Sequence, residues 1–310
     1  MLDNHALRVF LEAARTENFT EAARILNLSQ PAVSMQIKSL EDYLQVRLFE
    51  REGRRIRLTK VGQELLPMAR EIVALSVSAE ETIRASTGKV VGNLTIGCGA
   101  PAAKYILPHL VSRFQRTYPN VRVNIPMVAE EEVAEGLMRG TYDLGVCYSP
   151  EINGLVYTDF FIDHLALVVP TTHPWAQKGV IEPAQLFDEH FICHSQDSPC
   201  RRAVGESMAR LGLDMGHLQL VMEIDSPEAL AMSVEYGIGL SFVSIVTVAP
   251  RLPLGRLAIV RVEGMQVSMP VYLAHYPARP ASPVQARFTE FMQHPQTRAL
   301  IAAHAQGHMV

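Results

Sequence analysis

Apolar positions along the first 90 residues recur at helical spacing. Leu7, Phe10, Leu11 and Ala14 share one face of an amphipathic helix over residues 4–17. A second, short helix over residues 21–26 would bury Ala22, Ala23 and Leu26, with Thr20 as its expected N-cap. Asn27-Leu28-Ser29 then reads as a three-residue turn. Ser29 caps a third helix that carries Pro31 in its first turn, where a missing N–H costs nothing. Val33, Ile37, Leu40 and Leu44 form its apolar stripe. The opposite face holds Pro31, Ser34, Met35 and Lys38 near the helix N-terminus.

Leu48-Phe49-Glu50 and Ile56-Arg57-Leu58, with Gly53 at the bend, predict a small two-stranded hairpin. Thr59 is placed to cap a long helix over residues 60–86, in which Pro67 is a potential kink. Leu65, Met68, Ile72, Leu75 and Ala79 are spaced 3, 4, 3, 4, a short heptad seam that predicts pairing with a second copy. Gly88 and Gly92 mark the exit from this helix.

From residue 90 the period alternates between strand and helix. Strands are expected at 94–98, 121–128, 143–147, 164–169, around 191–193, 218–224, 240–243 and 271–273. Helices are expected at 104–118, 130–139, 199–211, 227–236 and, as one C-terminal element, 284–304. Two α/β units with crossing segments near 163 and 268 give a two-lobed binding domain with a cleft. The expected organisation is a head over 1–60, a linker and dimerisation helix over 61–88, and a two-lobed domain over 89–310. Lobe I takes 89–163 and 268–310, and lobe II takes 164–267.

Charge sharpens this picture. The chain of 310 residues carries a net −4, yet residues 1–60 hold ten Lys and Arg against eight Asp and Glu. Six basic residues (Arg47, Arg51, Arg54, Arg55, Arg57, Lys60) crowd into 47–60 against Glu50 and Glu52. A local basic patch on an acidic protein points to a local anionic partner. The N-terminus shows no charged-then-apolar leader, and no run of about 18 apolar residues occurs. A cytoplasmic location, no membrane partner and reduced thiols are therefore expected. The four cysteines form no CxxC, and Cys193, His194 and Cys200 lack a fourth metal ligand, so no cofactor or metal is expected.

Gly97-Cys-Gly99-Ala-Pro-Ala102 follows a strand and precedes a helix, which mimics a dinucleotide-binding turn. The acidic residue such a site wants at the end of the next strand is missing at Asn124-Ile125-Pro126, so a loop opening into the cleft is the better reading. Its backbone N–H groups could hold an anion. Ser195–Arg202 is the second expected cleft loop. Ser198 would cap the following helix, and Arg201 or Arg202 could pair with an acid group, the alternative for each being a solvated surface arginine. Cys200 stands at a helix N-terminus beside two arginines, a setting that lowers a thiol pKa. Asp225-Ser226 reads as a further cap facing the cleft, with a purely structural cap as the alternative.

Phe10, Phe19-Thr20-Glu-Ala-Ala23, Leu28-Ser-Gln-Pro-Ala-Val-Ser34, Ile37, Leu40-Glu41, Leu48-Phe49, Arg51 and Leu58-Thr59-Lys-Val-Gly62 form an ordered series that resembles the LysR-type transcriptional regulators. The resemblance implies an α/β chain with an N-terminal winged helix-turn-helix, a long linker helix and a two-lobed effector domain like the periplasmic binding proteins. It also implies a dimer through the linker helix, usually built into a homotetramer, on two-fold related double-stranded promoter DNA. Positions matching the DNA-reading residues are Gln30, Pro31, Ser34, Met35 and Lys38, with Arg51, Arg54 and Arg55 on the wing. Met35 departs from the polar or basic residue often found there. A thioether packs on a thymine methyl but makes no bidentate guanine contact. The effector, expected to be a small anionic metabolite, would meet Gly99, Ala100, Pro101, Ala102, Ser198, Cys200, Arg201 and Ser226. Ala100 and Ala102 stand where hydroxyl residues are common. Cys200 also resembles the reactive cysteine of the peroxide-sensing branch, which keeps redox sensing open as an alternative. Phe114, Pro119 and the segment 223–244 look most like the branch associated with carbon fixation and with sulfur or nitrogen metabolism. An enzyme on this fold would need a nucleophile–His–acid set or a phosphate loop, and none is legible, so no catalytic residue is assigned. A binder without an effector remains a third possibility.

Overall fold

The structure is a computed structural model that describes residues 2–52, 55–86, 90–150 and 152–307. They form two compact bodies. One comprises the residues through Gly92 together with Met138–Thr141 and Arg279–Val284. The larger comprises Asn93–Leu137, Tyr142–Ala278 and Gln285 onward.

The first body begins with α1 (Asn4–Thr16), α2 (Phe19–Leu26) and α3 (Gln30–Leu44). Leu7, Val9 and Phe10 of α1, Ala22 and Ala23 of α2, and Val33, Ile37 and Leu40 of α3 share one core. Each helix ends on a left-handed residue (Glu17, Asn27, Gln45), which turns the chain sharply enough for the next helix to fold back. The expected N-cap of α2 is corrected. Asn18, not Thr20, caps it, its side chain accepting from the Thr20 and Glu21 N–H groups. Ser29 caps α3 through the Ala32 N–H at 3.3 Å.

Strands β1 (Phe49–Glu52) and β2 (Arg55–Leu58) pair antiparallel, Phe49 opposite Leu58. The long helix α4 (Lys60–Ser86) follows and runs continuously through Pro67. Thr59 joins the hairpin to this helix. Its hydroxyl donates to the Arg47 carbonyl at 2.7 Å and accepts from the Gly62 N–H at 3.1 Å. Gly62 is required by the close approach: a Cβ there would lie 2.3 Å from the Leu48 carbonyl oxygen. Gly88 lies outside the described residues.

The larger body holds β3 (Gly92–Cys98), α5 (Leu107–Thr117), β4 (Val121–Asn124), α6 (Glu130–Arg139), β5 (Leu144–Cys147), β6 (Val156–Pro170), α7 (Pro174–Lys178), β7 (Val180–Ile181) and β8 (His190–Cys193). It continues through α8 (Pro199–Arg210), β9 (Gln219–Glu223), α9 (Pro227–Glu235), β10 (Ser241–Ser244), α10 (Ile245–Val248), β11 (Leu257–Val262), β12 (Val267–His275), α11 (Pro283–Gln293) and α12 (Pro295–Ala305). The principal sheet runs β4-β3-β5-β12-β6-β11-β7, with β10 also on β6. Strands β6 and β12 are the two crossing segments. Antiparallel to one another from Val156↔His275 to Leu165↔Val267, they are shared by both lobes. The second lobe adds the parallel pair β8–β9.

Three expectations change. Strand 164–169 is the end of a 15-residue strand, and 121–128 stops at Asn124, before Pro126. The C-terminal helix is two helices, because His294 caps a new one with Pro295 in its first turn. Ahead of α5 lies a π-helical turn, Ala102–Ile106. Pro108 has no N–H to give the Lys104 carbonyl, and its ring crowds that carbonyl, so the preceding turn widens.

Candidate DNA-reading surface and ligand cleft

The first body presents the N-terminal half of α3. With Val33, Ile37 and Leu40 buried, the helix turns Gln30, Pro31, Met35 and Lys38 outward; Met35 is 71% exposed. Gln30 Nε2 donates to the Ser34 hydroxyl at 2.8 Å, which orients both side chains along the exposed edge. A helix end that is apolar inward and polar outward can enter a major groove without unpacking its own core. On the hairpin, Arg51 and Arg55 occupy β1 and β2. Arg54 and Gly53 lie outside the described residues.

Glu41 went unnoticed as a structural residue. Buried in α3, it accepts from the Leu48 and Phe49 N–H groups at 2.7 and 3.1 Å and from Arg47 at 2.9 Å. It thus ties the start of the wing to the reading helix. Glu41→Ala leaves two amides without an acceptor, at least one of them buried, and should cost about 2–4 kcal/mol. The Arg47 side chain is 78% exposed, so its ion pair contributes little to that figure. Glu41→Gln keeps an acceptor oxygen and should cost less than half as much. Urea unfolding of the two variants checks this, and equal losses in both would refute the amide argument.

The second site is a cleft of about 480 Å³ between the lobes. Gly99, Ala100 and Pro101 line one wall, Ser198, Pro199 and Cys200 another. Ala102, Arg201 and Ser226 do not line it. Ala102 is packed inside. Arg201 turns away to the His194 carbonyl at 3.1 Å and pairs with Glu223, while Arg202 lines the cleft in its place. Ser226 caps α9 through the Ala229 N–H and donates to Glu228. Ser198 stands at the N-cap position of α8 without making a capping bond.

The Cys200 thiol is corrected in sign. Burial, and then the nearby Asp163 carboxylate, push it up to about 12, while the guanidinium of Arg201 is turned to the His194 carbonyl. A thiol held protonated is a poor nucleophile toward peroxide. Gly97 has a packing reason: a Cβ would lie 2.6 Å from the Tyr142 ring. That accounts for the first glycine of the dinucleotide mimic without a phosphate.

Glu130, Glu131, Tyr148 and Ser149, which the sequence did not single out, also line it, as do His194, Asp197 of the expected cleft loop and Asp225 of the expected cap. Glu130 accepts from the Tyr148 and Ser149 N–H groups at 2.7 and 2.8 Å, and Asp225 from the Ser195 N–H at 3.0 Å. These carboxylates occupy amides that an anionic ligand would want, which runs against the anionic effector expected from sequence. Glu228, just past Pro227, receives Lys104 Nζ at 3.0 Å and the Tyr105 hydroxyl at 3.1 Å, joining the lobes through a side-chain cluster. Among the described residues no group of three or more His, Cys, Asp and Glu could hold a metal, and no helix is long and apolar enough to cross a membrane.

A helix-turn-helix head with a wing, followed by a two-lobed ligand-binding domain, defines a DNA-binding transcription regulator with its own sensor. Residues 4–63 match the family described as "Bacterial regulatory helix-turn-helix protein, lysR family", and residues 87–296 match "LysR substrate binding domain". The chain belongs to the LysR-type transcriptional regulators. Similar proteins include the "Probable RuBisCO transcriptional regulator" of Cyanidioschyzon merolae, 31% identical over 92% of this chain and 96% of that one. The "RuBisCO operon transcriptional regulator" of Allochromatium vinosum is 32% identical over 92% and 94%. The fold is shared with full-length CbnR solved with its target DNA (TM-score 0.67, 24% identity, covering 94% of this chain and 99% of that one). It is shared too with full-length OxyR of Pseudomonas aeruginosa (TM-score 0.71, 22% identity, covering 97% of each).

Proposed function

We propose that the chain binds a two-fold related promoter site as a homotetramer built from dimers. In this reading Gln30, Pro31, Ser34, Met35 and Lys38 meet base edges, and Arg51, Arg54 and Arg55 meet phosphates. The observation that carries the reading is the exposed N-terminal half of α3, with Gln30, Met35 and Lys38 outward, in a head whose hairpin sequence is basic. Residues 61–88 serve as the dimerisation linker. A small molecule bound between lobe I (89–163, 268–310) and lobe II (164–267) shifts the assembly, and it does so only by binding one arrangement better than another. The similarity to regulators named for RuBisCO supports target genes in carbon fixation.

Anisotropy titration with DNA flanking the chain's own coding sequence is the test. At one fixed salt concentration the flanking site should bind at least about a thousandfold tighter than a scrambled duplex. Arg55→Ala should weaken binding to both duplexes and lower the salt slope by about one. Equal affinity for the two duplexes would remove sequence-specific recognition. An unchanged slope would remove Arg55 from the phosphate contacts.

A further inference from the structure

Four carboxylates line the cleft (Glu130, Glu131, Asp197 and Asp225) against one guanidinium, Arg202. His194 also lines it, but burial lowers its pKa and favours the neutral ring. The groups that ordinarily hold an anion in such a place are backbone N–H groups at strand ends and helix N-termini. Here the strand-end amides of Tyr148, Ser149 and Ser195 are already taken by Glu130 and Asp225. Three helical starts reach the cleft, and each brings a proline to it: Pro101, Pro199 and Pro227. Every one of those prolines removes a donor from the first turn. The Ala229 N–H of the third is further taken by Ser226. Helix dipoles give back about half a positive charge apiece. With Arg202 they still fall short of the four carboxylates.

Asp163 is an independent observation of the same sign. It sits on β6, fully buried, with Oδ1 accepting from the Ser244 hydroxyl at 2.6 Å. Its Oδ2 has no hydrogen-bond partner. It lies close enough to act electrostatically on Tyr148 and Cys200, both of which line the cleft, so this carboxylate sits behind the cleft wall. A buried carboxylate oxygen without a donor is costly unless a cation or a proton supplies the missing charge. Glu131 and Asp197 are also without hydrogen-bond or ion-pair partners among the described residues.

We propose that the ligand of this cleft is a small cation, a molecule bearing a protonated amine or guanidine group, held by Glu131 and Asp197 with Asp163 behind the wall. This rests on the reading of the cleft as the effector site and names the charge class of what enters it. Partial closure around the cation would lower the local dielectric and strengthen each of these pairings. A dicarboxylate or phosphate ester would meet four lining carboxylates against one guanidinium.

Isothermal titration and thermal melting of the full-length protein test this, with putrescine and agmatine as cationic probes and succinate and inorganic phosphate as anionic ones. Ionic strength is matched throughout. A cationic probe should bind saturably at millimolar concentration or below and raise the melting temperature. The double variant Glu131→Gln, Asp197→Asn should weaken that binding by about tenfold or more. Near pH 7, cation binding should also release protons, read as a dependence of the measured heat on the buffer's ionisation enthalpy. Asp163→Asn should abolish that dependence. If an anionic probe binds instead, and Arg202→Ala removes it, the charge class is overturned and the effector cleft stands. Saturable binding of neither class overturns the proposal. If no compound in a wider metabolite panel then stabilises the protein, the effector reading falls with it.

Discussion

Leu75→Asp is expected to split the assembly at its α4 contact, lowering its mass, and to lower affinity for a two-fold DNA site by about a thousandfold. Helix α4 has two apolar faces. Leu65, Leu66, Ala69 and Val73 pack into the core of the head, against which α1 also lies. Met68, Ile72 and Leu75 point the other way and are 60%, 40% and 61% exposed within one chain. Three large apolar side chains at a 4, 3 spacing on one helix face have the pattern of a two-helix seam. Covering each contributes about 1–2 kcal/mol. A carboxylate in the seam removes one such term and adds the desolvation of a charge with no partner, several kcal/mol more. About 4 kcal/mol corresponds to the thousandfold change. Heads no longer paired through α4 also lose the second half-site, which multiplies the loss on DNA. The head should stay folded, because Leu75 is outside its core. Sedimentation velocity with far-ultraviolet circular dichroism measures both. An unchanged mass with intact helicity would show that α4 is not the seam.

The head was far more legible than the cleft, and the reason is range. Caps and turns are local events. Ser29, Thr59 and Ser226 could be assigned because an N-cap needs only a side-chain oxygen within three residues of the amide it accepts from. Thr20 failed on the same rule, since Asn18 offers an equally good oxygen two residues earlier and the chain chose it. The cleft depends on rotation and on distant partners. Arg201 and Arg202 differ by about 100° around α8, and only packing decides which faces the ligand. Glu130–Glu132 look in sequence like ordinary first-turn acids on α6. That Glu130 reaches the end of β5 follows from sheet order, which carries no local signal. Cys200 was misjudged because neighbouring arginines in sequence are not neighbouring charges in space. Val156–Asp163 escaped as a strand because its polar residues suit a crossing segment with partly solvated ends and no clean alternation.

Asp163→Asn should stabilise the larger body at pH 8, and the gain should fade as the pH is lowered toward 4. Burial raises the Asp163 carboxyl from 3.8 to about 7, opposed only in part by the Ser244 hydroxyl and the His164 N–H. A carboxyl whose folded pKa is raised holds its proton in the folded state at pH values where the unfolded chain has released it. Stability therefore falls as pH rises through this window and stays low above it. Three pKa units set a ceiling of about 4 kcal/mol on the penalty at high pH. The asparagine never carries the charge. Its oxygen still accepts from Ser244, and the remaining cost is a neutral donor in place of Oδ2, so a net gain of about 2–3 kcal/mol is expected at pH 8. Cys200 and Tyr148, which lie near Asp163, keep their protons across this range, Cys200 with a pKa near 12 and Tyr148 well above its ordinary value. The difference between the two proteins thus reports on Asp163. Urea unfolding from pH 4.5 to 8.5 gives the curve, and a difference that stays flat with pH would mean that the carboxyl is ordinary.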